Sequence, residues 1–300
     1  MSSMEATWRI VAVTAVAPVA WGATYVVTRH LLPADAPLWG AALRALPAGL
    51  LLWALARRRP RGSWWAKALA LGLLNFAAFF VLVYVSAHLL PSSIAASLMA
   101  LAPLALAGIA WPLLAQRPTM RWAFASVVGI TGVLLVVGWS AGAIPPAGVL
   151  ASLLALLASS SGAILTTRWR DDTPLLATTA WQLTAGGLVL VIASAVVEGP
   201  PPRVDAAGVA AYAGIAVVAT ALAFVCWFTG LRHLPAGTVG LIGLLNPVTG
   251  VLLGVLVGGE TLTVPQLLGI ALVLGAIAGT HARRRDAPRL TRGPVPSPEG

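Results

Sequence analysis

HLLPSSIAASLMALAPLAL at residues 88–106 and HLPAGTVGLIGLLNPVTG at residues 233–250 are two versions of one pattern. Each has two prolines around a run of small and aliphatic residues, and both prolines align at an offset of 144 residues. A second match lies upstream, where PLWGAALRALPAG from Pro37 resembles PLLATTAWQLTAG from Pro174. Because the matches occur in the same order, the sequence indicates a duplicated unit.

The composition places both copies in a membrane. Of the 300 residues, 59% are hydrophobic and 9% are charged, against roughly 25% charged residues in soluble domains. A bilayer core about 30 Å thick is crossed by close to 20 apolar helical residues, and lipid cannot satisfy the exposed backbone of open strands. The sequence therefore predicts an all-α integral membrane protein with ten transmembrane helices. The predicted spans are 10–28, 37–56, 68–87, 92–114, 122–139, 147–167, 174–197, 207–229, 235–257 and 264–280.

Ten spans in two copies give five spans per copy, and this odd number fixes how the copies are related. If span 1 runs outward, span 6 runs inward, so the two five-helix repeats are inverted about an axis in the membrane plane. The predicted boundaries are 1–142 for the first repeat and 143–281 for the second. The basic, proline-rich tail at 282–300 is expected to be disordered in the cytoplasm.

The basic residues are distributed unevenly between the two sides. With the N-terminus in the cytoplasm, sixteen of the 19 lysines and arginines lie on the cytoplasmic side, Arg29 and Arg203 lie outside, and Arg44 lies within a span. The positive-inside rule thus predicts a multi-pass protein of the inner (plasma) membrane with both termini in the cytoplasm. We expect no nucleic-acid partner, because the bases are not gathered on one face of a folded domain.

Three segments resemble the EamA-type exporters of the drug/metabolite transporter superfamily. They are WGATYVVTR (21–29), ALRALPAG (42–49) and NPVTGVLLGVLVGGETLTVPQLLGIALVLG (246–275). The resemblance covers roughly residues 9–281 and implies a central cavity lined mainly by spans 1, 3, 4, 6, 8 and 9. It also implies export of amino acids or similar metabolites. The segment AQRPTMRW (115–122) departs from the family pattern. The family often has a glutamate in this region, and the nearest polar residue of this chain is Gln116.

The residue patterns argue against an enzyme. The four histidines lie at span ends or in loops, and none has a nucleophile or an acid at a spacing that brings both onto one helix face. A single cysteine, Cys226, allows no cysteine metal cluster, so we expect neither a metal nor another cofactor. All nine acidic residues fall outside the predicted spans, which argues against the carboxylate relay of a proton-coupled cation pump.

Aromatic and neutral polar side chains in the spans around the implied cavity are the predicted substrate contacts. They are Trp21, Thr24, Tyr25, Asn75, Phe79, Tyr84, Ser160, Ser161, Phe224, Trp227 and Asn246. The two asparagines stand out, because an unpaired amide in hydrocarbon costs several kcal/mol. Hydrogen bonding between helices remains the alternative to a substrate contact for both, as ordinary packing does for the aromatic residues.

Two charged residues and two prolines are predicted to support gating. Arg44 lies seven residues after Pro37, about 10 Å along span 2, from where its side chain could snorkel outward or meet helix-end carbonyls. Stabilisation of one access state, a structural anchor and capture of a substrate carboxylate all remain open for Arg44. Glu260 is a gate residue or a helix-end cap, and Pro103 and Pro247 are predicted hinges because each removes one backbone hydrogen bond.

Together these features predict a monomeric exporter that works by alternating access, with a small-molecule solute and membrane lipid as partners. Amino acids or similar neutral and apolar solutes are expected, because the implied cavity is aromatic and lacks an acid. A broad-specificity drug efflux protein and a non-transporting membrane sensor or scaffold are the alternatives.

Overall fold

The computed structural model of the chain describes residues 3–31, 36–90, 98–137, 145–258 and 262–281. Within these ranges the chain folds into ten helical elements, and no strand occurs. The elements are α1 (Ser3–Leu31), α2 (Pro37–Ala56), α3 (Trp64–Gly72, Leu73–Ala77 and Ala78–Leu89), α4 (Ala102–Leu114), α5 (Met120–Val137), α6 (Pro146–Arg168), α7 (Leu175–Val197), α8 (Ala206–Ala216, Val217–Leu222 and Ala223–His233), α9 (Ala236–Gly243 and Leu245–Gly258) and α10 (Val264–His281).

The lengths and surfaces of these helices fit a membrane protein. Seven of the described helices are long and apolar enough to cross a membrane, and three shorter apolar helices lie in α4, α9 and α10. Large apolar side chains such as Phe124 and Leu256 remain exposed on the outside of the bundle, as expected for a surface that faces lipid. The all-α membrane fold predicted from the sequence is confirmed.

The two repeats carry the same two irregularities, 144 positions apart. A π-helical turn interrupts α3 at Leu73–Ala77, and another interrupts α8 at Val217–Leu222. A helix break lies three residues before Pro103 and three residues before Pro247. The prolines predicted to kink spans 4 and 9 therefore lie in the first turn after a break, where a missing N–H costs no helical hydrogen bond.

The most extensive helix contacts join the two repeats. Helix α2 packs against α7, α3 against α6, α1 against α8 and α9, α4 against α9, and α5 against α10. The buried side chains form two cores. The first core joins α4, α5, α9 and α10 to parts of α1, α6 and α8, and the second core joins α2, α3 and α7 to the middle of α8. Each core therefore contains helices of both repeats.

Glycines bring several helix pairs into backbone contact. A Cβ added to Gly132 would lie 2.7 Å from the carbonyl oxygen of Gly269, and one added to Gly269 would lie 2.5 Å from that of Gly132. Likewise, a Cβ on Gly49 would lie 2.5 Å from the backbone nitrogen of Thr184. Because not even a methyl group fits at these crossings, they fix how α5 meets α10 and how α2 meets α7.

Polar contacts clamp α2 to α7 at both ends. Glu198, directly after α7, accepts hydrogen bonds of 2.8 Å from the backbone N–H groups of Leu38 and Trp39. These groups lie in the first turn of α2, which has no side-chain cap from its own N-cap residue and favours a negative charge there. At the other end, the indole of Trp181 donates to the carbonyl oxygen of Arg58 at 2.9 Å.

A loop carboxylate adds a link beside the second clamp. Asp171, between α6 and α7, accepts a hydrogen bond of 2.7 Å from the indole of Trp64, the first residue of α3. The hydrogen bond from the Thr173 hydroxyl lowers the pKa of Asp171 below its ordinary value. Hydrogen bonds from Trp64 and the Thr173 amide and the charge of Lys67 also lower it, whereas partial desolvation raises it. The start of α3 is thereby fastened to the loop before α7.

Replacing Glu198 with alanine should lower the thermal unfolding midpoint of the detergent-solubilised protein. Two N–H groups at the start of α2 lose their acceptor, so we expect a loss of about 1–2 kcal/mol in the free energy of unfolding. Glu5→Ala is the matched control, since Glu5 forms an exposed pair with Arg9 one turn away that contributes at most about 0.5 kcal/mol. Equal losses in the two variants would contradict the capping role of Glu198.

Candidate functional site

The π turn of α8 receives side chains from two helices of the first repeat. A π turn closes its hydrogen bonds over five residues and locally disturbs the α-helical ladder. The carbonyl oxygen of Ala219 accepts from the Trp21 indole at 3.0 Å and from Nη2 of Arg44 at 3.1 Å. Nε of Arg44 also donates to the Thr220 hydroxyl at 3.0 Å. Helices α1 and α2 are thus fastened to the middle of α8.

Arg44 is held inside the bundle by groups that suit a cation. Its partners lie halfway along α8, whereas the sequence suggested an outward snorkel or helix-end carbonyls. The guanidinium carbon also lies 5.4 Å from the centre of the Phe80 ring, within the range of a cation–π interaction. A carbonyl dipole, a hydroxyl and an aromatic face therefore replace part of the water that the charge gives up.

Asn75 occupies the equivalent π turn of the first repeat. It is buried, and its Nδ2 donates to Oε1 of Gln182 at 2.7 Å and to the Thr166 hydroxyl at 3.4 Å. A Cβ on Gly162 would lie 2.4 Å from Oδ1 of Asn75, so the glycine leaves the space that the amide fills. Asn75 thus takes part in a helix-to-helix network between α3, α6 and α7, and its contact with a substrate stays a prediction.

The two π turns are contacted in corresponding ways. Helix α2 reaches the turn of α8 and its repeat equivalent α7 reaches the turn of α3. Helix α1 reaches the turn of α8 and its equivalent α6 reaches the turn of α3. The chemistry of the contacts differs, because the α8 turn accepts from the charged guanidinium of Arg44, whereas the neutral amide of Asn75 in the α3 turn donates to Gln182 and Thr166.

Four aromatic rings meet beside the α8 turn, where the two cores join. The ring centroid of Trp21 lies 5.1 Å from that of Phe224 and 5.3 Å from that of Trp227, and Phe76 lies 4.7 Å from Phe224. Phe224 packs against both cores. We call Trp21, Phe76, Phe224 and Trp227 the aromatic junction; three of its four members are predicted substrate contacts, and the sequence-based set omits Phe76.

Asn246 lies next to the aromatic junction, just after the break in α9. Its backbone oxygen would lie 2.5 Å from a Cβ on Gly22, which directly follows Trp21. Its side-chain Oδ1 is buried, with no hydrogen-bond partner among the described residues. Buried polar atoms without a partner are uncommon in folded proteins, so this oxygen can accept a hydrogen bond from a molecule that enters between the helices.

Three further predicted contacts lie along α1 and α3, where they interact with near neighbours. The Thr24 hydroxyl donates at 3.0 Å to the carbonyl oxygen one turn earlier in α1. The ring of Phe79 lies 5.4 Å from that of Phe80, and the ring of Tyr84 lies 4.2 Å from the histidine one turn later. These contacts do not join the aromatic junction to the rest of the predicted set.

The last predicted residues are two serines of α6 and two residues that cannot be placed. Ser160 is buried and Ser161 is half-buried on α6. The side chain of Tyr25 and the whole of Glu260 lie outside the described residues, so their predicted roles stay predictions.

Gln182 and Thr220 complete the two networks, although the sequence-based set omits them. Both are polar side chains inside apolar runs, where a polar group is costly unless it is paired. This pattern could have identified both residues from the sequence. Gln182 is absent from the predicted set because the family resemblance places the cavity mainly between other spans than span 7. Thr220 is absent from the predicted set because its contact depends on a π turn, and no residue type marks a π turn in sequence as clearly as proline marks a kink.

Comparison with known proteins identifies relatives along nearly the whole chain. The model of the EamA-like transporter family matches residues 8–138 and 146–281. Protein PecM of Dickeya dadantii (strain 3937) is 35% identical over 263 residues, which cover 87% of this chain and 88% of PecM. The uncharacterized inner membrane transporter YedA of Escherichia coli (strain K12) is 27% identical over 263 residues, which cover 86% of this chain and 85% of YedA. A solved crystal structure superposes with a TM-score of 0.77 at 19% identity, over 90% of this chain and 96% of the other; this likeness shows the fold.

The contact between Arg44 and Thr220 can be tested by a double-mutant cycle on unfolding free energy. Arg44→Gln removes the charge, and Thr220→Val removes the hydroxyl at similar volume. The double variant should lose less stability than the sum of the single variants, by about 0.5–1.7 kcal/mol. Thr229→Val is the control partner, because the Thr229 hydroxyl bonds a carbonyl of its own helix. Additive losses in both cycles would show that Arg44 does not bond Thr220.

Proposed function

Because the chain belongs to the EamA-like transporter family, we propose that it exports small neutral or apolar metabolites, amino acids foremost, by alternating access. Membership of this family makes the protein a multi-pass membrane transporter and not an enzyme. The solute class, the outward direction and the alternating-access mechanism are the parts that we propose.

The aromatic junction with Asn246 beside it is the observation that carries the proposal. The rings of Trp21, Phe224 and Trp227 offer apolar faces at the point where the two cores meet. The buried Oδ1 of Asn246 offers one acceptor without a donor among the described residues. Apolar walls with a small number of placed polar atoms are typical of sites for small molecules.

The distribution of acidic residues supports a neutral solute over a cation. The acidic residues in the described part of the chain lie at helix ends or in loops, namely Glu5, Asp171, Asp172, Glu198 and Asp205. A carboxylate inside the membrane is the usual counter-charge for an organic cation in a proton-coupled pump. An aromatic junction with an amide oxygen instead suits a solute that donates a hydrogen bond and buries an apolar group.

The packing supports a movement of the two cores relative to each other. We place the moving boundary between the cores rather than between the repeats, because each core contains helices of both repeats. Helix α8 joins both cores, and the breaks before Pro103 and Pro247 allow α4 and α9 to bend at equivalent points. Inverted repeats reach inward-open and outward-open states by exchanging conformations between equivalent helices.

We further propose that the protein works as a monomer in the inner membrane, with both termini in the cytoplasm. The orientation rests on the excess of arginine and lysine in the loops assigned to the cytoplasm. A monomer is supported by the contact of Gly22 with Gly250, since a Cβ on Gly22 would lie 3.1 Å from the Gly250 nitrogen. The surface of α9 at Gly250 therefore packs against α1 of the same chain.

Proteoliposome counterflow with labelled amino acids, purines and cationic dyes tests the proposed function. We expect accumulation of a labelled neutral amino acid when the vesicles are preloaded with the same unlabelled compound. Exchange of the dyes instead would favour broad drug efflux. If no solute exchanges while the protein remains folded, a sensor or scaffold role would replace transport.

The two asparagines give a matched pair of variants for the site itself. Asn246→Ala should raise the KM of the exchanged solute about threefold to tenfold with little effect on stability, because Oδ1 has no protein donor to lose. Asn75→Ala should mainly lower stability, because Oε1 of Gln182 loses its donor. An unchanged KM in Asn246→Ala would remove Asn246 from the site.

A further inference from the structure

A cavity of about 210 Å³ lies at one end of the bundle, between the α4–α5 turn and the start of α9. Its walls include Arg117, Thr119 and Arg121 from the turn and the beginning of α5, and Pro235 and Thr238 from α9. The distribution of basic residues assigns this end to the cytoplasmic side. The cavity is therefore expected at the level where lipid headgroups meet water.

Hydrogen bonds hold the walls of this cavity in place. Oε1 of Gln116 accepts from the backbone N–H of Ala236, the first residue of α9, at 2.8 Å. The Thr119 hydroxyl accepts from the backbone N–H of Trp122 at 3.2 Å. A Cβ on Gly237 would lie 2.4 Å from Nε1 of Trp122, so the indole packs directly on α9. Gln116 thus joins the turn to α9.

The charge of the cavity favours an anion. Arg117 and Arg121 are both exposed, and none of the residues that line the cavity is acidic. Helices α5 and α9 begin at the cavity and α4 and α8 end beside it, so the opposite ends of the helix dipoles offset each other and the net positive charge comes from the two arginines. Guanidinium groups bind phosphate oxygens well, because their planar N–H groups match two oxygens at once.

An exposed apolar strip runs from the cavity along α5. Met120 is 87% exposed, Phe124 72% and Val127 63%, and their spacing of four and three residues puts them on one helix face. The strip begins beside Arg121, the residue after Met120. A ligand that carries a phosphate and a long apolar chain would cover both the cavity and the strip, whereas a free phosphate ester would leave the strip uncovered.

We propose that this cavity binds the headgroup phosphate of an anionic phospholipid, with one acyl chain along Met120, Phe124 and Val127. Arg117 and Arg121 pair with the phosphate oxygens, and the bound lipid bridges the α4–α5 turn and α9. The site is separate from the aromatic junction and does not depend on which solute the protein carries.

Lipid titration of the purified full-length protein in neutral detergent tests this proposal. The probes are dioleoylphosphatidylglycerol, dioleoylphosphatidylcholine with the same acyl chains, and inorganic phosphate, and the readout is the shift in thermal unfolding midpoint with lipid concentration. We expect the anionic lipid to raise the midpoint at lower concentration than the zwitterionic lipid. Equal effects of the two lipids, or the full shift with inorganic phosphate alone, would overturn the proposal.

A pair of double variants locates the effect in the cavity. Arg117→Gln with Arg121→Gln should weaken the apparent affinity for the anionic lipid roughly tenfold to thirtyfold. Arg59→Gln with Arg61→Gln is the control, because these arginines are exposed in the α2–α3 loop and carry the same number of charges on the same side. Equal weakening in both double variants would show a general surface attraction and contradict a site in this cavity.

Discussion

The carbonyl oxygen of Ala219 is the acceptor on which the centre of the bundle depends. Lipid offers no hydrogen bonds, so polar groups inside the membrane must find their partners within the protein. The carbonyl oxygen of Ala219 lies in the π turn of α8 and accepts hydrogen bonds from Trp21 and Arg44. The same requirement explains why an otherwise costly arginine is held in an apolar helix.

The same constraint acts in the first repeat, but a different chemistry meets it. In the π turn of α3, the amide of Asn75 donates to the amide oxygen of Gln182, whereas the π turn of α8 accepts from the charged guanidinium of Arg44. If the two repeats were chemically identical, exchanging their conformations would give two access states of equal free energy. In the proposed alternating-access cycle, a charged contact on one side and a neutral one on the other would make the free energies of the two states unequal. On that proposal, Arg44 would set which of the two states is more populated.

Hydropathy and the proline repeat were enough to predict the all-α membrane fold and the helix positions, and the three segments that resemble EamA-type exporters indicated the family. The 144-residue offset between Pro103 and Pro247 also holds for the π turns and the helix breaks, which makes the duplication visible in the backbone. The centre was harder to predict. Trp21, Phe224 and Trp227 could be predicted because they are aromatic residues in spans that the resemblance places around the cavity. Their packing against one another could not, because it depends on how α1 crosses α8. Gln182 and Thr220 form hydrogen bonds with partners about 100 or more positions away. A local sequence pattern does not predict such distant partners.

An electron cryomicroscopy map of the protein in lipid nanodiscs, at a resolution that shows side chains, tests the central interaction most directly. It should show a π turn at 217–222 with the Arg44 guanidinium within hydrogen-bond distance of the Ala219 carbonyl oxygen. An unbroken α-helix through this segment, with Arg44 directed toward the lipid headgroups, would contradict the account.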